Sequence, residues 1–160
     1  LKRILLAGAL DTTSQTFVRQ LSQNNHVSLT VYTPSAVDLP QSVMALTGET
    51  LDEGGLTAAM LDQDMVVALV PTIKLTQTVT TLITAAQAAG THRLLVGRTD
   101  DIVELPGQIR DARRQLMTAG LDFDLVDGFG EINTLLAVNP APVKVFGSDD
   151  ADVPLTKFAG

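Results

Sequence analysis

The sequence predicts an α/β fold: a doubly wound parallel sheet with helices on both faces, in three α/β/α layers. Three observations carry that prediction. Ile4-Leu5-Leu6-Ala7 and the run of six apolar residues from Met65 to Val70 have the composition of strands buried on both faces. Between such runs stand segments with apolar residues at helical spacing. Gly90 and Gly120 directly follow two of those segments, where a helix C-cap favours glycine.

The chain opens as strand, turn and helix. After the first strand, Gly8-Ala9-Leu10-Asp11-Thr12-Thr13-Ser14 is small and polar, as a turn must be, and Phe17, Val18 and Leu21 then share one helical face while Arg19, Gln20 and Gln23 turn outward. This is the opening of a nucleotide-binding βαβ unit, in which glycines at G-x-G-x-x-G spacing or a close variant let the backbone approach a pyrophosphate at the helix N-terminus. Only Gly8 stands here, with Asp11 and Ser14 in the other two slots.

Asn24-Asn25 breaks that helix, and residues 26–33 read as a second strand, with Val27, Leu29 and Val31 alternating with Ser28, Thr30 and Tyr32. Pro34 and Pro40 bracket a loop before a short third strand at 42–46. Gly48-Glu49-Thr50-Leu51-Asp52 is a turn leading to a short helix at 56–61, closed by Asp62-Gln63-Asp64. The fourth strand, 65–70, ends at Pro71.

A helix beginning at Lys74 and ending at Ala89 follows, with Leu75, Val79, Leu82, Ile83 and Ala86 on its core face. Its other face carries Thr76, Gln77, Thr80, Thr81, Thr84 and Gln87, with no charge after Lys74. Charge depletion marks the cores of interfaces, so this face is a candidate homodimer contact. The remainder reads as a strand at 93–97, a polar turn Arg98-Thr99-Asp100-Asp101, a helix at 106–119 and a sixth strand at 123–126. Beyond these come a loop with Gly128 and Gly130, an apolar stretch at 132–138 and a last strand at 143–146.

With 160 residues and neither repeat nor linker, residues 1–160 are expected to form a single domain. A net charge of -7 argues against nucleic acid and anionic membrane as partners, and the basic cluster Arg110, Arg113 and Arg114 reads as one solvated helical face. Cysteine is absent, which excludes disulfides, thiolate metal sites and a thiol nucleophile. His26 and His92 have no partner at metal-ligand spacing, so no metal is expected. With no apolar stretch of membrane-spanning length and no charged-then-apolar leader, a cytoplasmic location is the expectation.

Four stretches then bear comparison with a known pattern. The opening is similar to strand-G-A-x-G-x-x-G-helix, and Gly48-Glu49-Thr50-Leu51-Asp52 is similar to a G-D-x-x-D turn. Residues 88–96 read A-A-G-T-H-R-L-L-V, beside the pattern A-A-G-V-K-R-F-V-x, and residues 118–123 read T-A-G-L-D-F, beside S-G-L-D-Y. In that order they resemble the compact, NmrA-like branch of the short-chain dehydrogenase/reductase superfamily, in register over residues 2–129.

The resemblance implies a Rossmann-like fold with NAD or NADP as cofactor. In many relatives it implies reduction of quinones, flavins or small carbonyls. On this chain it assigns cofactor contacts to Gly8, Ala9, Leu10, Asp11, Thr12 and Thr13, to Tyr32 and Thr33, to Glu49 and Thr50, to Leu69 and Val70, and to Arg98. The family's catalytic Ser maps to Thr99.

Several positions depart from the family pattern. Tyr32-Thr33 offers neither an Arg for a 2'-phosphate nor an acid for a ribose diol, so neither cofactor is favoured. The Tyr-x-x-x-Lys pair falls near Pro106 and Arg110, the first without a phenol and the second a planar guanidinium that stays protonated. R-P-G becomes Asp127-Gly128-Phe129, a change of sign at an anion contact.

Plainer readings stand beside these. Asp11 reads as an N-cap whose carboxylate fills the anion hole a pyrophosphate needs. Thr12, Thr13 and Ser14 are either phosphate donors or polar first-turn residues, and Thr99 is either a proton relay or a strand-end hydroxyl. Asp100, Asp101 and Glu104 read as a solvated acidic rim. The expected function is an oxidoreductase acting on a small carbonyl, quinone or flavin acceptor with weak or altered dinucleotide binding. The alternatives are a non-enzymatic regulator or ligand sensor on the same scaffold, or a binder of a nucleotide with fewer phosphates.

Overall fold

The computed structural model describes residues 2–34, 38–91, 93–100 and 105–127. In chain order these form β1 (Lys2–Ala7), α1 (Thr12–Ser22), β2 (Val27–Thr33), β3 (Met44–Thr47), α2 (Glu53–Met60) and β4 (Met65–Val70). A single 3-10 turn (Thr72–Lys74) then runs into α3 (Leu75–Ala89), and β5 (Arg93–Arg98), α4 (Pro106–Ala119) and β6 (Asp122–Asp127) complete the set. The strands make one sheet in the order β3-β2-β1-β4-β5-β6, parallel at every pairing. The predicted doubly wound fold is what forms.

Alternation along each strand divides the core in two. Leu5, Ala7, Tyr32, Val66, Ala68 and Val70 face α2, α3 and α4, while Ile4, Leu6, Leu29, Val31, Val67 and Leu69 face α1 through Phe17 and Val18. Every residue of β4 is buried, which is why its sequence shows no polar alternation. α3 buries Leu75, Val79, Leu82, Ala85 and Ala86 and closes at Gly90, with φ of 77°. α4 starts with Pro106 at its first turn and closes at Gly120, with φ of 73°.

Element bounds differ from expectation where a turn or cap intervenes. β3 begins at Met44, not at 42, because the Val43 N–H is spent on the Pro40 carbonyl at 3.0 Å. α2 begins three residues early, at Glu53, since Asp52 caps it by accepting from the Gly55 N–H at 3.3 Å. The Thr-rich flank of α3, expected to face outward, is in part turned to α4. There the Thr76 N–H donates to Gln108 Oε1 at 2.9 Å and the Thr80 hydroxyl to Gln115 Oε1 at 2.6 Å. The Gly128 and Gly130 loop, the stretches at 132–138 and 143–146, and the residues His92, Asp101 and Glu104 lie outside the described residues. No described helix is long and apolar enough to cross a membrane.

Candidate functional site

In an open parallel sheet, ligands bind beyond the carboxyl ends of the strands where strand order reverses. Here that point lies between β1 and β4, because β1 pairs with β2 on one side and β4 on the other. Register puts Ala7 level with Tyr32 and with Ala68, Thr33 level with Thr47, and Val70 level with Arg98. The strand-end positions singled out from sequence therefore share one edge of the sheet. Their side chains do not all face it.

Gly8 opens the first turn with φ of 140°, a conformation that side-chain-bearing residues rarely adopt. A Cβ there would lie 2.5 Å from the Leu69 carbonyl oxygen, so β4 itself requires the glycine. Ala9, Asp11 and Thr12 are exposed, and Leu10 is half-buried. Asp11 is the N-cap of α1, its Oδ1 accepting from the Ser14 N–H and from the Ser14 hydroxyl, each at 2.8 Å. Ser14 is 1% exposed and turned inward, which removes it as a phosphate donor. Thr12 and Thr13 are the first two residues of α1.

At the end of β2 the two neighbours part. Tyr32 is 3% exposed, packed on the α2 side, and its hydroxyl donates to the Glu49 carbonyl at 3.3 Å. Burial, and then the carboxylates of Asp52 and Glu49, hold its phenol above the ordinary tyrosine pKa. Thr33 is 4% exposed, and its Oγ1 has no hydrogen-bond partner, while its carbonyl accepts from the Gly48 N–H at 3.0 Å. Glu49 is exposed and Thr50 half-buried in the turn that follows β3.

On the other side of the switch point, Leu69 packs toward α1 and Val70 toward α3, so only their backbone reaches the edge. The Val70 carbonyl accepts from the Thr99 N–H at 3.1 Å, and Thr99 is exposed. Arg98 is 6% exposed, with Nη1 donating to Thr72 Oγ1 at 2.8 Å. Thr72 in turn donates to Asp100 through its hydroxyl at 2.5 Å and its N–H at 3.1 Å. Asp100 is thus half-buried and bonded, not the solvated rim expected of it. Pro106 and Arg110 are exposed on α4.

Two arrangements escaped the sequence. One is the link from Thr72 to Arg98 and Asp100, for which Thr72 gave no signal. The other is the packing of Gly48 and Gly55 on Tyr32, where a Cβ at either glycine would overlap the phenol ring or its hydroxyl. The spare glycine beside the Asp52 cap was the available clue. Among the described residues no cluster could hold a metal ion.

The NAD(P)H-binding family matches residues 8–123, most of the chain. The protein belongs to that NAD(P)H-binding family. Its cofactor class is accordingly a nicotinamide dinucleotide, NAD or NADP. Among solved structures, a Rossmann-fold NAD(P)-binding family protein from Shigella flexneri is 22% identical with a TM-score of 0.70, over 79% of this chain and 66% of that one. A short-chain dehydrogenase/reductase from Veillonella parvula DSM 2008, in complex with NADP, is 16% identical with a TM-score of 0.64, over 78% and 67% of the two chains. An NADPH-dependent quinone oxidoreductase from Escherichia coli, complexed with NADPH, is 15% identical with a TM-score of 0.62, over 85% and 53%. At such identities the likeness is one of fold, and the chain spans about two thirds or less of the length of these proteins. No curated protein matches it.

The edge fits the family's dinucleotide in one respect and opposes it in another. Gly8 and Ala9 carry almost no bulk in front of the N-terminus of α1, as close backbone approach requires. The Asp11 carboxylate, however, already takes the Ser14 N–H and sets a negative charge at the same helix end.

Proposed function

We propose that this NAD(P)H-binding chain is an oxidoreductase domain that binds its dinucleotide weakly and acts on a small carbonyl, quinone or flavin acceptor. The observation that supports this best is the N-terminus of α1, reached through the small Gly8-Ala9 turn, at the β1/β4 switch point of an all-parallel sheet. In this reading Gly8, Ala9, Leu10, Thr12 and Thr13 hold the pyrophosphate through backbone and first-turn donors. Thr33, Glu49 and Thr50 bound the adenosine half, and the ends of Leu69 and Val70 bound the nicotinamide half. When bound, the nicotinamide supplies the hydride chemistry. The exposed Thr99 hydroxyl donates a hydrogen bond to the acceptor oxygen, and Arg110 offers positive charge beside it. Arg98 acts from below, through Thr72.

A regulator or sensor on the same scaffold is the second reading, favoured by Pro106 standing where the family's phenol would be. We also propose a homodimer through the outward face of α3, where a groove of about 400 Å³ between α3 and α4 is lined by Thr80, Ile83, Thr84, Gln87, Arg114, Gln115, Thr118 and Ala119. Sedimentation tests it, a monomer mass at high concentration being the adverse result.

Thermal unfolding with NADH and with NADPH tests the central reading. A ligand held only by the folded state, at 100 times its dissociation constant, adds about 2.7 kcal/mol. Absence of any shift with either dinucleotide, in a chain that remains folded, would count against it. Turnover with a quinone or aldehyde then separates enzyme from sensor.

A further inference from the structure

Tyr32 ends β2 at the site's edge, yet its ring lies on the α2 side of the sheet with almost no exposure. It is enclosed by two glycines from the next element pair. A Cβ on Gly48 would overlap the ring, and one on Gly55 would overlap the hydroxyl, so the phenol fills the space between the turn after β3 and the first turn of α2. Its O–H reaches the Glu49 carbonyl at 3.3 Å, the same oxygen that accepts the Asp52 N–H at 3.0 Å. A further tie is the Gly48 N–H on the Thr33 carbonyl at 3.0 Å. The Gly48-Glu49-Thr50-Leu51-Asp52 turn is therefore seated on a single buried phenol.

That turn stands on the β2 and β3 side of the switch point, the side on which a dinucleotide's adenosine half is read. Tyr32, buried on the α2 side of the sheet, is not placed to contact a ligand at that edge, but its hydroxyl is bonded to the turn that carries Glu49 and Thr50. We infer that Tyr32 is a positioning residue for adenosine recognition, acting through the Glu49 carbonyl and the turn it holds and not by contact with the dinucleotide. The inference rests on the dinucleotide reading above.

The test is isothermal titration of wild type and Tyr32→Phe with NADH, ADP-ribose and reduced nicotinamide mononucleotide. Tyr32→Phe keeps the packing and removes the hydroxyl. NADH and ADP-ribose are expected to weaken together by about three- to tenfold, the factor that one modest hydrogen bond corresponds to. The mononucleotide, lacking adenosine, is expected to bind both proteins alike. Amide exchange over 48–55 should quicken in the variant. Gly48→Ala, whose Cβ would push the turn off the Tyr32 ring, should repeat the pattern and serves if Tyr32→Phe does not fold. Unchanged NADH affinity in Tyr32→Phe, or equal losses for NADH and the mononucleotide, would overturn the positioning role alone. Failure of wild type to bind either NADH or ADP-ribose would overturn the dinucleotide reading and this role with it.

Discussion

The turns after β1 and after β3 use the same local device to different ends. Each leads from a parallel strand through an aspartate N-cap into a helix, Asp11 for α1 and Asp52 for α2. Asp11 is bound twice by Ser14, each time at 2.8 Å, whereas Asp52 accepts from the Gly55 N–H at 3.3 Å. Their glycines also answer to different neighbours. Gly8 is imposed by the backbone of β4, and Gly48 by the side chain of Tyr32. In the proposed reading the cap at the switch point competes with an anionic ligand, while the chemically identical cap after β3 starts a helix away from that ligand's pyrophosphate.

The largest effect that would sharpen this contrast is on stability. Gly8→Ala meets both a positive φ and the Leu69 carbonyl and is expected to cost about 3 kcal/mol, against about 1 to 2 for Gly48→Ala, whose obstacle is a side chain. Urea unfolding of the two variants measures it, and equal losses would erase the distinction between backbone and side-chain constraint.

Next comes affinity. Asp11→Gly is expected to tighten NADH and NADPH binding by about one to two orders of magnitude, since unit charges about 4 Å apart repel by roughly 1 to 4 kcal/mol between water and an effective dielectric of 20. The accompanying loss of stability should be about 1 kcal/mol or less, glycine being a tolerated N-cap. Asp52→Gly should bring no such gain, because its helix end is not the one facing the pyrophosphate. Titration of all three proteins at matched low salt decides the matter. Equal gains in the two variants would mean that net charge, not position, governs binding.

The smallest effect is a pH dependence confined to the second turn. The folded pKa of Tyr32 is raised, by burial first and by Asp52 and Glu49 second, so the folded chain keeps a proton that the unfolded chain releases near pH 10. Its contribution is complete below about pH 10 and is lost as pH climbs through the folded value. Tyr32→Phe should flatten that alkaline decline, and Asp52→Asn, which removes one of the charges raising the folded pKa, should shrink it and end it at lower pH. Unfolding free energies from pH 9 to 11 provide the check.

What was legible in the sequence was what neighbours along the chain decide. β4 showed itself by composition, α3 by spacing, and the Asp11 cap by the place of an aspartate at the start of a helix. The start of α2 was obscured by Gly54-Gly55, poor helix formers whose presence answers in part to Tyr32, 23 residues away from Gly55 in the chain. Asp100 was misread as rim because its partner Thr72 lies 28 residues earlier, on a 3-10 turn that no periodicity announces. The strand-end reading placed these positions along one edge, as the pairing register does. It did not tell that Tyr32 turns inward while Thr99 stays exposed, because side-chain direction there depends on which sheet face each register position meets.

The seam between α3 and α4 has a mechanical meaning. Thr76 with Gln108 and Thr80 with Gln115 are directional bonds at two heights, so sliding one helix along the other would break both at once where a greasy contact would merely repack. The two helices are in effect a single plate. That plate is continuous with the 3-10 turn, and Thr72 on that turn is bonded to Arg98 and Asp100 on either side of Thr99. Three hydrogen bonds thus join the outer plate to the strand end where Thr99 stands.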